Sequence, residues 1–169
     1  IDTAAVGLYT KALDAAGEQG GTVLVKGGVL GGDGYESGCY VKPAIVEARP
    51  DMHIVQEETF APILYLMKYN GDVTNAIAIQ SSVKQGLSSS ILTTDMREAE
   101  RFLSAAGSDC GIAHAHIGTS GAQPGGAPGP GRGDQKHRDV QDDQRIGHIG
   151  RALGWVVVSD REHRLTLNG

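Results

Sequence analysis

Six consecutive residues, Glu57-Glu58-Thr59-Phe60-Ala61-Pro62, place two carboxylates and an aromatic ring in a turn that leads directly into an apolar stretch, Ile63-Leu64-Tyr65-Leu66-Met67. α/β proteins bind their ligands in loops at strand ends. A carboxylate there can accept hydrogen bonds from ribose hydroxyls, and a ring beside it can pack on a flat heterocycle, which is what a dinucleotide site requires. The same residues also read as a solvated acidic turn with a core Phe, and composition alone does not separate the two.

Other residues with reactive side chains are weaker candidates. A catalytic cysteine acts as an activated thiolate, and no base is visibly paired in sequence with Cys110, so it reads as a small structural residue before a strand. Cys39 sits in a Gly-rich stretch with no better claim. His114 and His116 would share one face of a strand, because side chains alternate, but a metal site needs further ligands and none is evident. Arg132-Gly133-Asp134 lies in a polar Gly-rich run where such a tripeptide is expected by chance.

The elements that must hold these residues follow from periodicity. Ala5, Leu8, Tyr9, Leu13 and Ala16 recur at helical spacing over residues 2–18, and Gly17, Gly20 and Gly21 act as stop signals. Thr22-Val23-Leu24-Val25 is a β-rich run, followed by loop material from Gly27 through Gly38. Pro43 has no N–H for a ladder, so the strand around it is expected at a sheet periphery. The run from Pro62 to Met67 is almost wholly apolar and suits a strand covered on both faces. Asp72 then looks like an N-cap for a helix over 73–84, with Gly86 as its stop. Residues 87–92 form the next strand, Asp95 and Glu98 give a capping signal for a helix reaching Ala106, and 111–117 form a third strand. The order βαβαβ predicts an α/β fold in which parallel strands over 61–117 are joined by helical crossovers.

From Ala122 the character changes. Pro124, Pro128 and Pro130 lie among glycines, and residues 132–145 are almost entirely polar, so 122–169 is expected to be a disordered or irregular tail. Only Trp155-Val156-Val157-Val158 resembles a strand there, and a lone strand with no sequence neighbour is marginal. The domain division expected is therefore 1–121 and 122–169.

Bulk properties narrow the function class. A chain of 169 residues with 40% hydrophobic residues suits one globular domain. A formal charge of -5 offers no broad positive field for nucleic acid, and no apolar stretch approaches the roughly 20 residues that span a bilayer. Two cysteines are too few for a disulfide framework, which predicts a reducing compartment. The chain lacks an initiating Met and is expected to be part of something longer.

Glu58-Thr59-Phe60-Ala61-Pro62 resembles the Glu-x-Phe-[Gly/Ala]-Pro motif of the aldehyde dehydrogenase superfamily. Tyr40-Val41-Lys42-Pro43-Ala44-Ile45-Val46 resembles the family's strand before that motif, and Ser108-Asp109-Cys110-Gly111-Ile112-Ala113 its entry to the last core strand. Lys84-Gln85-Gly86-Leu87-Ser88-Ser89-Ser90 and Ile117-Gly118-Thr119-Ser120-Gly121-Ala122 are similar to the antiquitin-type branch, family 7, which oxidises α-aminoadipate semialdehyde. The resemblance covers about residues 3 to 122.

That resemblance implies a C-terminal part of the catalytic domain of an NAD-dependent aldehyde dehydrogenase of lysine catabolism, homo-oligomeric when full-length. It implies a cytoplasmic setting, or a mitochondrial one in a eukaryote. It makes Glu58 the carboxylate that contacts the nicotinamide ribose and Phe60 the ring beside the nicotinamide. It makes Gly121 and Ala122 the start of a loop that anchors the substrate's distal carboxylate through backbone groups. Beyond that point Gln123-Pro124-Gly125 departs from the branch, where Glu and a Gly-Gly-Ala-Phe-Gly-Gly run would follow. The family's nucleophilic Cys, general-base Glu and Gly-rich cofactor turn all correspond to positions upstream of Ile1, so no catalytic residue is expected in this chain, which by itself is an inert piece of the enzyme.

Overall fold

The computed structural model describes residues 2–84, 86, 88–116 and the backbone of 155–159. Gly121, Ala122 and the expected tail lie outside the described residues, apart from that five-residue strand.

Helix α1 (Thr3–Glu18) begins at Asp2, whose carboxylate accepts the Ala5 N–H at 2.9 Å. Its end is set by Gly20 rather than Gly17, which is inside the helix. Gly20 has φ +87°, its N–H donates to the Gly17 carbonyl at 3.0 Å, and the Gly21 N–H donates to Ala16 at 2.8 Å. This crossed pair of bonds satisfies the last carbonyls of the helix, and it needs a left-handed residue at Gly20. Tyr9, Ala12 and Ala16 form the buried face, while Leu8, expected inward, stays exposed. The small Ala12 and Ala16 let the helix approach closely, and the Tyr9 hydroxyl is bonded at both ends: it donates to the Lys42 carbonyl at 2.7 Å and accepts the Gly28 N–H at 2.8 Å.

The main sheet runs β1 (Thr22–Val25), β4 (Ala44–Ala48), β5 (Ile63–Tyr69) and β8 (Trp155–Ser159). β1 is antiparallel to β4, whereas β4, β5 and β8 are mutually parallel neighbours. Three expectations change here. β4 is interior, not peripheral, because Pro43 stands just outside the ladder, between β4 and the two-residue strand β3 (Val41–Lys42). The stretch expected to be plain loop contains β2 (Gly28–Val29), which pairs with β3 as a small hairpin. The strand at 155–159 is not alone: it pairs with β5, a partner distant in sequence that local patterning does not reveal.

Ala44, Val46 and Ala48 share one buried face with Ile63, Tyr65 and Met67, the period of two expected of strands. Tyr9, Ala16, Met52, Ile54 and Val55 close over this face as the first core cluster. Leu64 and Leu66, pointing the other way, are half-buried, so among the described residues β5 is covered on one face and not on two.

The second unit contains α2 (Val73–Gln80), β6 (Ser88–Ile91), α3 (Met96–Leu103) and β7 (Ile112–Ala115). Asp72 and Asp95 cap the two helices by accepting the Thr74 and Arg97 N–H groups, each at 2.8 Å. The Thr74 bond also holds the Asp72 carboxyl below its ordinary pKa. Glu98 accepts a bond from Thr93 Oγ1, and Thr93 Oγ1 in turn accepts the Asp95 N–H. α2 ends four residues before the expected Lys84, at a Ser81-Ser82 pair whose second hydroxyl donates to the Ile79 carbonyl, offering the backbone an alternative to further helix.

β6 and β7 are parallel and joined through α3, as expected, with Ser88 opposite Ile112 and Ile91 opposite Ala115. β5 does not pair with β6, so the three strands expected in one run fall in two sheets. Periodicity identifies strands but does not choose their neighbours. Val73, Ile77 and Phe102 form a second, smaller cluster, with Ile91 and Ala113 packed against it.

Candidate functional site

The turn bearing Glu58 and Phe60 is fixed at both ends. Upstream, a 3-10 turn (His53–Gln56) buries Ile54 and Val55 in the first core, and the Ile54 N–H donates to Gln19 Oε1 at 3.0 Å. Arg49 holds the same corner, donating to the Gln19 carbonyl at 3.1 Å and pairing with Asp51 at 3.2 Å. Downstream, the Ala61 N–H donates to Thr59 at 2.7 Å and the Ile63 N–H to Ala61 at 2.8 Å, two successive three-residue turns. The Pro62 carbonyl then accepts the Ala44 N–H at 3.0 Å, which stitches the turn to β4.

On this anchored backbone Glu58 is half-buried and Phe60 keeps 47% of its surface exposed. The ring therefore stands outside the first core cluster. Glu57 is exposed and approaches His53 Nε2 at 3.5 Å, so the two adjacent acids have different surroundings. The turn stands at the amino end of β5, while open α/β sheets usually bind ligands at carboxyl ends. The general rule would not have selected it without its residue types.

Cys110 is 5% exposed, and Gln80 Nε2 donates to its Sγ at 3.0 Å. Beside it the buried Ser89 and Ser108 hydroxyls share a hydrogen bond of 2.7 Å, and the Cys110 N–H donates to Ser108 Oγ at 3.3 Å. Burial pushes the thiol above its ordinary pKa, against the opposing hydrogen bonds of Ser108 and Ser89. A protonated, enclosed thiol is a packing group and not a nucleophile. Sequence reading missed this polar cluster because its members come from α2, β6 and the approach to β7, and nothing in linear spacing joins them. Cys39 is half-exposed, its Sγ directed at the Ser37 carbonyl 3.3 Å away.

His114 and His116 do not share a strand face. β7 ends at Ala115, and His116 has φ +62°, which breaks the alternation. Among the described residues no group of three His, Cys, Asp or Glu side chains is placed to hold a metal ion. No helix among them is long and apolar enough to cross a membrane.

The model of the aldehyde dehydrogenase family matches residues 1–140. The chain belongs to the aldehyde dehydrogenase family. It is 46% identical over 126 residues to the alpha-aminoadipic semialdehyde dehydrogenase of Mus musculus, covering 74% of this chain and 22% of that protein. It is 43% identical over 125 residues to aldehyde dehydrogenase family 7 member A1 of Pisum sativum, covering 74% and 24%. Among solved structures, PnpE in complex with nicotinamide adenine dinucleotide superposes with a TM-score of 0.62 at 27% identity, over 80% of this chain and 29% of that one. The chain thus spans about a quarter of the length of these curated relatives. Its parallel strands and crossover helices are part of the aldehyde dehydrogenase fold.

Proposed function

We propose that the protein to which this segment contributes oxidises an aldehyde to its carboxylic acid with NAD, and that the aldehyde is α-aminoadipate semialdehyde. The observation that carries the reading is the anchored turn, which offers a half-buried carboxylate, Glu58, and an open aromatic face, Phe60, two residues apart. That pair suits a ribose diol and a flat nicotinamide ring, and the chain's membership of the family says which dinucleotide chemistry to expect of it. Glu58 would accept bonds from the nicotinamide ribose, and Phe60 would limit the ring's freedom and exclude water from one side of it. Gly121 and Ala122 would open the loop whose backbone N–H groups hold the substrate's distal carboxylate. NAD, when bound, supplies the acceptor for the hydride. The substrate assignment rests on the similarity to relatives named for that semialdehyde, and with it come lysine catabolism, a homo-oligomeric full-length protein and a cytoplasmic or mitochondrial setting.

The chain on its own is proposed to be inert, since Cys110 is enclosed and its thiol pKa raised, no base among the described residues is bonded to the Cys39 thiol, and the family resemblance implies that the nucleophile lies at positions before Ile1. Mixing the purified 169-residue chain with NAD and α-aminoadipate semialdehyde, and following NADH by absorbance, tests both halves of the reading. The expected result is turnover by the full-length protein and none by the chain. Turnover by the chain that vanishes on Cys110→Ala would make Cys110 the nucleophile and overturn the proposal.

A further inference from the structure

The 3-10 turn that leads into Glu57 and Glu58 begins without a local cap, because its N-cap residue, Met52, makes no side-chain hydrogen bond. The Ile54 N–H is one of the donors that a helix start leaves without a partner in its own turn, and Gln19 Oε1, 35 residues away in sequence, accepts it at 3.0 Å. Ile54 is buried, so water is a poor replacement for that acceptor. The main chain of Gln19 holds the other end of the same corner: its carbonyl accepts Arg49 Nη2 at 3.1 Å, and Arg49 Nη1 reaches the neighbouring Gly20 carbonyl at 3.4 Å. One residue thus grips the segment 49–54 at both ends. Gln19 is itself fixed as the C-cap of α1, its N–H donating to the Ala15 carbonyl at 3.0 Å. From Ile54 the path to the site is short: its carbonyl accepts the Glu57 N–H at 3.4 Å, and Glu58 is the next residue.

We propose that Gln19 is a positioning residue for NAD binding: its side chain, carried on the end of α1, caps the 3-10 turn at Ile54 and so sets where the backbone delivers the Glu58 carboxylate. This rests on the reading of Glu58 given above. Gln19 acts through Glu58 and not on the cofactor, and a small misplacement of a ligand contact is costly because binding and reaction depend on its geometry. What the position requires is a side chain of this length with an acceptor oxygen at its end. Glu meets both requirements, Asn is one methylene too short, and Met has the length without the oxygen.

The test compares Gln19→Met, Gln19→Asn and Gln19→Glu in the full-length protein, with Tyr9→Phe as a control that removes hydrogen bonds from the same helix without touching the corner. NAD saturation kinetics, KM for α-aminoadipate semialdehyde and thermal unfolding are measured on each. The Met and Asn variants should lower kcat/KM for NAD about fivefold with KM for the aldehyde unchanged. The Glu variant should stay within about twofold of wild type. Tyr9→Phe should lower the unfolding temperature and leave the NAD profile as it is. If Gln19→Met cannot be purified folded, the Asn variant carries the comparison. Adding a Gln19 substitution to Glu58→Gln should cost little beyond Glu58→Gln alone, since the group that Gln19 positions is already lost. An unchanged NAD profile in Met and Asn, equal loss in Glu and Met, an equal loss in Tyr9→Phe, or effects that multiply in the double variant would overturn the proposal. Failure of the Glu58 reading would look different: Glu58→Gln alone would keep the wild-type NAD profile, and the positioning role would fall with it.

Discussion

The two core clusters of this chain are built on different principles. The first joins residues far apart in sequence, Tyr9 and Ala16 of α1 with Val46 of β4 and Met67 of β5, and its interior is almost entirely apolar. The second is a local βαβ unit whose apolar cluster is small, Val73, Ile77 and Phe102, and which also holds the hydrogen-bonded set Gln80, Ser89, Ser108 and Cys110. Apolar burial tolerates shared adjustment among neighbours, whereas a buried polar set is stable only while each member keeps its partner. The candidate cofactor turn belongs to the first kind of core, and its backbone is held by residues buried there.

That contrast predicts where the molecule fails first. Phe102→Ala should be the most damaging single change, about 3–5 kcal/mol, because the cluster around it has few other members. Hydrogen exchange of the 169-residue chain should then lose protection across β6 and β7 while β4 and β5 keep theirs. Uniform loss across both units would show that the clusters are one cooperative core. Met67→Ala should cost about 2–5 kcal/mol and lower protection everywhere, since the first cluster supports the rest.

Tyr9→Phe is a finer cut at the first cluster. It keeps the ring and removes the hydroxyl that joins Lys42 to Gly28, for an expected loss of about 1–3 kcal/mol. A Cβ on Gly27 would lie 1.8 Å from that oxygen, so Gly27→Ala in a Tyr9→Phe background should be milder than in wild type. Thermal unfolding of the four proteins measures that coupling, and strict additivity would show that the hydroxyl is not what excludes a side chain at Gly27.

The smallest expected effects concern the thiols. Half-exposed Cys39 should be alkylated about tenfold or more faster than Cys110 at neutral pH. Because burial raises the Cys110 pKa, the neutral thiol belongs to the folded state. Its contribution to stability is therefore complete below the ordinary value of 9.0 and declines as pH rises through the higher folded value. A Cys110→Ser variant should lack that alkaline decline. Equal labelling of the two thiols at pH 7 would mean that the second unit opens freely.

Much of this architecture was legible before any coordinates. Asp72 and Asp95 cap helices because a short carboxylate reaches the second or third N–H of a helix, a rule that depends only on neighbours. The strand over 63–67 and the strand–helix order from β5 to β7 are local too, although the apolar run did not show that one face of β5 is less covered than the other. Strand partners were not legible: β4 looked peripheral because Pro43 was counted within it, and β8 looked unpaired because its partner is distant in sequence. At the candidate site, Glu58 and Phe60 were marked by a five-residue motif, while the polar set around Cys110 and the left-handed His116 carried no signal, since both depend on segments meeting in space.

The proposed role of the Glu58–Phe60 turn, serving the nicotinamide end of NAD, differs from that of a structural corner in what a single substitution should do. Glu58→Gln in the full-length protein addresses it most directly, with NAD saturation kinetics and thermal unfolding measured on the same preparation. Losing a hydrogen bond to a charged group costs about 1.5–3 kcal/mol, which corresponds to a roughly 10- to 150-fold fall in kcat/KM for NAD. That fall is expected together with an unfolding temperature within about 2 °C of wild type, since a half-buried carboxylate contributes little to the core. An unchanged NAD profile, or a loss of activity that only tracks a lowered unfolding temperature, would contradict it.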